Sequence, residues 1–310
     1  MSALERRRLG RTGLRPRALG VGGAWWSAGT EAECIAGIHR ALELGLDFFD
    51  TYPGDFEERW GKALAGRRHE VVLQGKVSSV ARRRSDHTAA ATRQSVEASL
   101  RALGTDYLDI ALIHGYDQPE DVPAGAGPEA RGKNGMVDPL APGQALDELE
   151  RLRAEGKVRC IGLGGRAAAV LRRALETGRV DVVLTYLEYN LFTQAFAAEV
   201  MPAVRACDAG VELASPLGMG LLAGPRPDPQ SPRGGAGGAA RALAMWEWCQ
   251  AWGVEIRHLA MQFCLAAPVP GIVLPGPANR RELDEAHEAA TAPIPPPVWQ
   301  AFRAEFGVGI

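Results

Sequence analysis

Several things are missing from this 310-residue sequence, and each absence narrows what it can be. Charge of one sign is not in excess: 35 Lys and Arg stand against 37 Asp and Glu, a formal net charge of -2. No global field of that size would recruit nucleic acid or an anionic membrane surface. Long apolar runs are also missing, and the opening Met1-Ser2-Ala3-Leu4-Glu5-Arg6-Arg7-Arg8 has no apolar h-region, so neither a membrane span nor a secretory leader is expected. Cysteine is sparse and unpaired in pattern. Cys34, Cys160, Cys207, Cys249 and Cys264 are odd in number, scattered and never in CxxC spacing. That speaks against a disulfide framework or a thiolate zinc site and for reduced, partly buried thiols in a cytoplasmic protein. The six histidines are dispersed with no pair at helical distance, so no metal is expected. No short-period repeat is visible.

What is present is an ordinary globular composition, 46% apolar and 23% charged, on a chain long enough to bury a large core. Apolar runs of strand length alternate with helix-period segments, the pattern of βαβ units around a parallel sheet. A hairpin comes first, with Leu4–Leu9 and Leu14–Arg17 flanking Gly10–Gly13. Strands are then expected at Ala18–Val21, Leu46–Thr51, Val71–Lys76, Leu108–His114, Val158–Leu163, Val180–Thr185, Val211–Ser215 and Gly271–Leu274. Helices are expected near Thr30–Leu44, Glu57–Ala65, Ala89–Leu103, Ala145–Glu155, Ala168–Thr177, Ala197–Ala209, Ala240–Trp252, Ile256–Leu265 and Glu282–Ala290. The first opens on Thr30 and Glu33 in capping-box spacing, with Gly45 placed to end it. Eight strands without a central break predict one (β/α)8 TIM-barrel domain over residues 1–310, with an N-terminal β-hairpin. Gly115–Gly143 and Gly224–Gly238, rich in Gly and Pro, each follow a strand. By composition they read as surface linkers; by position they are long loops on the C-terminal face, where barrel active sites form.

Three ionisable residues close successive strands: Asp50 after Phe48-Phe49, Lys76 after Leu73-Gln74-Gly75, and His114 after Leu112-Ile113. In a barrel they converge on one mouth, an acid, a base and an imidazole around a single cavity. The plainer alternative is a structural ion pair beside a bystander histidine.

Leu46-Asp47-Phe48-Phe49-Asp50-Thr51, followed by Glu57-Glu58-Arg59-Trp60-Gly61-Lys62-Ala63-Leu64, resembles the signature of the aldo-keto reductases. Gly75-Lys76-Val77 resembles that family's catalytic-lysine strand, and Asp106-Tyr107-Leu108-Asp109-Ile110-Ala111-Leu112-Ile113-His114 the strand that delivers its histidine. Further similar segments are Glu155–Gly164, Ala214–Leu222 and Leu274–Asn279, so the likeness runs in order along nearly the whole chain. It is nearest in tone to bacterial aldose-dehydrogenase-like members.

The resemblance implies an NAD(P)-dependent oxidoreductase that interconverts a small carbonyl compound (an aldehyde, a ketone or a sugar lactone) and an alcohol by hydride transfer. A tyrosine hydroxyl serves as general acid and base, the lysine ammonium eases loss of a phenolic proton that otherwise leaves near about pH 10, and the aspartate holds the lysine. The histidine orients the carbonyl oxygen. Carried onto this chain, those roles fall to Tyr52, Lys76, Asp50 and His114. Tyr52 departs from the pattern: with Gly54 and Glu57 as anchors, Pro53 occupies the usual tyrosine position and Tyr52 comes one place early. Either Tyr52 reaches the site through a tighter loop, the expectation adopted here, or the acid has been replaced, with His114 or a lysine-held water next in line.

The implied cofactor site comprises Gly164 and Gly165 in place of the family's Ser-Asn pair, Tyr186 in place of its glutamine, and Ser215, Leu217 and Gly218, which suit close backbone approach to a pyrophosphate. Gly276, Asn279, Arg280 and Arg281 open the last expected helix, a place for an adenosine phosphate. Cations in a first helical turn run against the dipole, so the two arginines favour NADP(H) over NAD(H), although Glu282 aligns with the usual later arginine. Trp25, Trp26 and Tyr116 are candidate substrate-pocket residues, the tryptophans equally readable as packing. Two further readings remain: a barrel with an altered acid performing dehydration or epimerisation on a specialised metabolite, or a nicotinamide-sensing regulatory subunit. The expected partner is a small carbonyl or alcohol, not nucleic acid or membrane, and the expected state is a monomer or small homo-oligomer.

Overall fold

A computed structural model of the chain describes residues 4–26, 29–77, 79–80, 84–116, 136–233 and 237–310. Eight parallel strands form one sheet: β1 (Val21–Gly22), β2 (Phe48–Thr51), β3 (Val72–Val77), β6 (Leu108–His114), β7 (Val158–Gly165), β8 (Val182–Tyr186), β9 (Gly210–Ala214) and β10 (Gly271–Leu274). Two-residue strands β4 (Ser79–Val80) and β5 (Arg84–Ser85) make a separate antiparallel ribbon. The sheet curls shut, because Leu19 pairs in parallel with Val273 and the amides of Gly20 and Gly22 donate to the carbonyls of Val273 and Pro275. The result is the expected (β/α)8 TIM barrel.

Helices α1 (Glu31–Glu43), α2 (Asp55–Ala63), α3 (Ala89–Leu103), α4 (Ala145–Ala154) and α5 (Ala168–Glu176) wrap the first half. The second half carries α6 (Ala195–Glu199), α7 (Met201–Cys207), α8 (Gly238–Trp252), α9 (Ile256–Leu265), α10 (Arg280–Thr291) and α11 (Pro296–Phe306). The Thr30–Glu33 capping box is present in full, and the left-handed Gly45 follows α1. Two expectations need correction. The one helix expected over Ala197–Ala209 is two short ones, since Pro202 has no amide to continue a helix but suits the first turn of a new one. α11 was not expected at all.

The N-terminal arms pair antiparallel at Arg6 and Arg17, through Arg7 N–H to Pro16 O and Leu9 N–H to Leu14 O, around a tight turn at Gly10–Thr12. This hairpin plugs the bottom of the barrel. Leu9 and Leu14 pack on the inward-facing Phe48, Ile110, Leu112, Val182, Leu184 and Ile272. Gly10 sits so close to the start of β9 that a Cβ there would lie 2.1 Å from the Gly210 nitrogen, and its φ of +50° suits glycine as well. The opposite, C-terminal mouth is thereby left as the open end.

Of the two long loops, residues 117–135 and 234–236 lie outside the described residues. The end of the first is anchored where buried Asp138 accepts from Arg173 at 2.6 Å. The second is pinned where Trp246 Nε1 donates to Gly224 O at 2.8 Å. Among the described residues no helix is long and apolar enough to cross a membrane.

Candidate active site

Alternation along the barrel strands decides which side chains enter the lumen. Phe48 and Asp50 on β2 share a face, as do Val72, Gln74 and Lys76 on β3 and Ile110, Leu112 and His114 on β6. Asp50 lies in register with Gln74, and Lys76 with Leu112. Lys76 therefore emerges one layer nearer the mouth than Asp50 and bends back to it as an ion pair. The pair is almost out of solvent, with Lys76 1% and Asp50 4% exposed. Gln74 Nε2 donates to the same Asp50 Oδ1 at 2.8 Å. Two charges held this deep depend on each other, since removing one partner of a buried pair costs about 3–5 kcal/mol.

Tyr52 stands just past the end of β2, beside the lysine of this pair. Its hydroxyl lies 3.4 Å from His114 Nε2, and the two rings meet edge to face at 5.5 Å and 81°. The Lys76 ammonium sits 4.9 Å from the centre of the Tyr52 ring. The four residues named as acid–base candidates thus share one small volume at the barrel mouth. Tyr186, at the end of β8, extends the wall with its ring 6.3 Å from His114.

Burial first, then the Lys76 charge, push the His114 imidazole down to about 3. Burial likewise pushes His87 down to about 4; its ring packs edge to face on Tyr116 at 5.4 Å. Both rings are neutral at neutral pH, so His114 offers a hydrogen bond rather than a charge. The sign for stability follows. Histidines depressed in the folded chain contribute stability that is present above the ordinary value of 6.5 and lost as pH falls towards 4. We expect the free energy of unfolding to drop by roughly 1.4 kcal/mol per pH unit per histidine in that interval. Denaturant titrations of the parent and of His87→Phe should show a shallower decline in the variant; parallel declines would mean His87 takes up its proton as easily folded as unfolded.

Not every candidate joins this volume. Trp26 is fully buried, and its ring fills the space over Gly37, where a Cβ would come within 2.1 Å of it. It is a packing residue. Tyr116 is equally buried, and its ring packs edge to face on His87. Trp25, by contrast, is half-exposed and lies against Gly276, whose Cβ would stand 3.0 Å from the indole. Gly164 pairs with His114 in register, but the space beside it is taken by Leu112, 2.8 Å from a would-be Cβ. Gly165 is buried at the end of β7.

Beyond β9 the backbone curls tightly. Ser215, Gly218, Met219 and Gly220 all have positive φ, and Gly218 N–H donates to Ser215 O while Leu222 N–H reaches Leu217 O. Asn279 caps α10 through its side chain. The Glu282 carboxylate turns back onto Ala278 N–H at 2.9 Å and Asn279 Nδ2 at 3.2 Å. Arg280 and Arg281 are 60% and 75% exposed and pair one turn along α10 with Asp284 and Glu285.

Two lumen residues were missed by sequence reasoning. Gln74 lies on the same strand face as Lys76, and Glu212 is a fully buried acid in the middle of β9. A charge between Val211 and Leu213 on a lumen-facing parity was the signal that could have found it. Among the described residues no cluster of three or more His, Cys, Asp or Glu could hold a metal ion, and all five cysteines are unpaired, with burial pushing the Cys34 thiol up to about 11.

Residues 18–304 match the aldo/keto reductase family. L-galactose dehydrogenase from Arabidopsis thaliana is 30% identical over 305 residues, spanning 94% of this chain and 89% of that protein. NADH-specific methylglyoxal reductase from Escherichia coli is 30% identical over 256 residues, 77% and 71% of the two chains. D-threo-aldose 1-dehydrogenase from a Pseudomonas species is 27% identical, covering 93% of each. Among solved structures, the apo form of an aldo-keto reductase from Bacillus halodurans superposes with a TM-score of 0.75 at 24% identity, over 97% of this chain and 95% of that one, a likeness of fold.

Proposed function

The chain belongs to the aldo/keto reductase family of oxidoreductases acting on CH–OH and C=O groups, and on that premise we propose that it interconverts a small carbonyl compound and its alcohol with Tyr52 as general acid and base. The observation that carries this reading is the Tyr52 hydroxyl beside His114 Nε2, with the Lys76 ammonium over the same ring. In the reducing direction Tyr52 gives its proton to the developing alkoxide oxygen. Lys76 makes that proton easier to give by favouring phenolate, and Asp50 keeps Lys76 charged and pointed at the mouth. Neutral His114 donates from Nε2 to the carbonyl oxygen, fixing the plane in which it reacts. In the oxidising direction the same hydroxyl, deprotonated, accepts the alcohol proton.

A nicotinamide dinucleotide fits the surrounding residues. Ser215, Gly218, Met219 and Gly220 take positive φ in a tight backbone turn suited to anionic oxygens, and Gly276, against Trp25, leads into α10, which Asn279 caps. When bound, the nicotinamide supplies or takes up the hydride. Tyr186 and Gly165, at the ends of β8 and β7, would flank it.

We further assign Arg280 and Arg281 as readers of a 2′-phosphate, favouring NADP(H). Their pairing with Asp284 and Glu285 and the neighbouring Glu282 carboxylate offset much of their charge, so the preference is expected to be small, within about tenfold, the size of one or two exposed charge contacts. In fluorescence titrations, Arg280→Ala with Arg281→Ala should weaken NADP(H) and leave NAD(H) little changed; equal losses would remove these arginines from phosphate recognition.

Two of the relatives are named as sugar dehydrogenases and one as a reductase of methylglyoxal, which supports a substrate among aldoses and small aldehydes. Absorbance of the reduced nicotinamide, followed against a panel of aldoses, aldehydes and ketones in both directions, tests this reading. Turnover of at least one panel member is expected; no change in absorbance with any of them would sink it.

A further inference from the structure

Glu212 lies in the lumen, fully buried, with no assigned role in the chemistry above. Its in-register neighbours are Leu184 on β8 and Ile272 on β10, both apolar, so nothing on its flanking strands pays for an acid there. Across the lumen it meets Gln74, whose Nε2 donates to Glu212 Oε2 at 2.8 Å and to Asp50 Oδ1 at 2.8 Å. One amide therefore ties a buried acid to the Asp50–Lys76 ion pair. The charges that bear on Glu212 are those of Asp50 and Lys76.

Two oxygens in this cluster, Glu212 Oε1 and Gln74 Oε1, have no hydrogen-bond partner among the described residues. A buried carboxyl that keeps its proton can donate to such an acceptor, whereas a carboxylate cannot. A proton on Glu212 converts one of the orphaned acceptors to a donor and leaves the lumen with balanced charge, Lys76 against Asp50. Burial, reinforced by the Asp50 charge, accordingly pushes the Glu212 carboxyl up to about 8, with Lys76 and Gln74 opposing.

We propose that Glu212 is a positioning residue of the acid–base site: through Gln74 it braces Asp50 and hence Lys76, and its charge state sets how readily Tyr52 releases its proton. The proposal rests on the reading of Tyr52 and Lys76 given above. With Glu212 neutral, Lys76 exerts its full pull on the phenol. When Glu212 ionises it adds a second negative charge within the lumen, which offsets that pull at a buried site where screening is weak. Phenolate then becomes scarcer, so alcohol oxidation, which needs phenolate, is held back at alkaline pH, while carbonyl reduction, which needs phenol, is not.

The test is the pH dependence of kcat for alcohol oxidation in the whole protein with its nicotinamide cofactor. Glu212→Gln keeps the shape and deletes the charge, so its ratio of kcat at pH 9 to kcat at pH 7 should exceed the parent's by about threefold or more, a shift of half a pH unit or more in the phenol ionisation. Glu212→Leu reads the same ratio should the amide variant fail to fold, because an apolar side chain suits this site. Glu212→Asp should return the ratio towards the parent's, which a merely structural residue would not do. Unchanged ratios in the folded Gln and Leu variants, alongside an inactive Lys76→Met, would overturn the proposal and leave the acid–base reading standing. A fully active Lys76→Met would remove the reading itself.

Discussion

Lys76→Met is expected to lower turnover by about 10²-fold or more, the range contributed by a positioned acid–base step. The ammonium is the cation held against the Tyr52 ring, and methionine fills nearly the same volume without its charge. The substitution also strands Asp50, almost fully buried, with only the neutral Gln74 amide still donating to it among the described residues. A stability cost of about 3–5 kcal/mol is expected from that alone, a large share of a typical folding free energy. A control separates the two effects. Lys76→Met with Asp50→Asn removes both charges, so the double variant should recover most of the lost stability, read as the midpoint of denaturant unfolding, and none of the lost turnover. Cofactor titration by protein fluorescence confirms that either variant is folded and competent to bind. Near-parental turnover in a folded Lys76→Met would take Lys76 out of the chemistry.

Tyr52→Phe should cost a similar factor, about 10²-fold or more in kcat, with little change in cofactor affinity. Phenylalanine keeps the ring that packs edge to face on His114 and lies beneath Lys76, so loss of activity cannot be assigned to a cavity. What disappears is the hydroxyl 3.4 Å from His114 Nε2. The spacing is long for a hydrogen bond, as catalytic contacts often are before a substrate draws them together. The pH profile of the variant should lose the ionisation of the phenol. Parental activity in Tyr52→Phe together with an inactive His114→Phe would mean that the acid of this barrel lies elsewhere.

Much of this site was legible because it rests on alternation. Once Phe48, Leu112 and their neighbours are read as lumen residues, Asp50, Lys76 and His114 must face inward at adjacent strand ends. The one-residue displacement of Tyr52 was visible too, but not its consequence, which depends on the path of Pro53 and Gly54 into α2. Trp25 and Trp26 are adjacent, equally aromatic and opposite in fate, one over Gly276 and one over Gly37. No local pattern separates them, because the choice is made by the backbone each ring meets, at Gly276 for one and at Gly37 for the other. Helix α11 was hidden by Pro295-Pro296-Pro297, which reads as a stop. In the fold Pro296 and Pro297 form the first turn, where missing amides cost nothing, and Val298, Trp299 and Phe302 bury the face that follows. Glu212 escaped for another reason: a strand acid is ordinarily read as solvent-facing, and its contact with Gln74 joins strands that are not neighbours in the sheet.

The central claim is that hydride passes between a nicotinamide and a carbonyl carbon while Tyr52 handles the proton. It is tested most directly with nicotinamide reduced with deuterium at C4 and an aldose or aldehyde that the enzyme turns over. The account predicts an alcohol carrying one deuterium on the carbinol carbon, stoichiometric oxidation of the cofactor, and loss of both in Lys76→Met and Tyr52→Phe. Product formed without deuterium, or without net oxidation of the cofactor, would contradict it and point to a dehydration or epimerisation at the same barrel mouth.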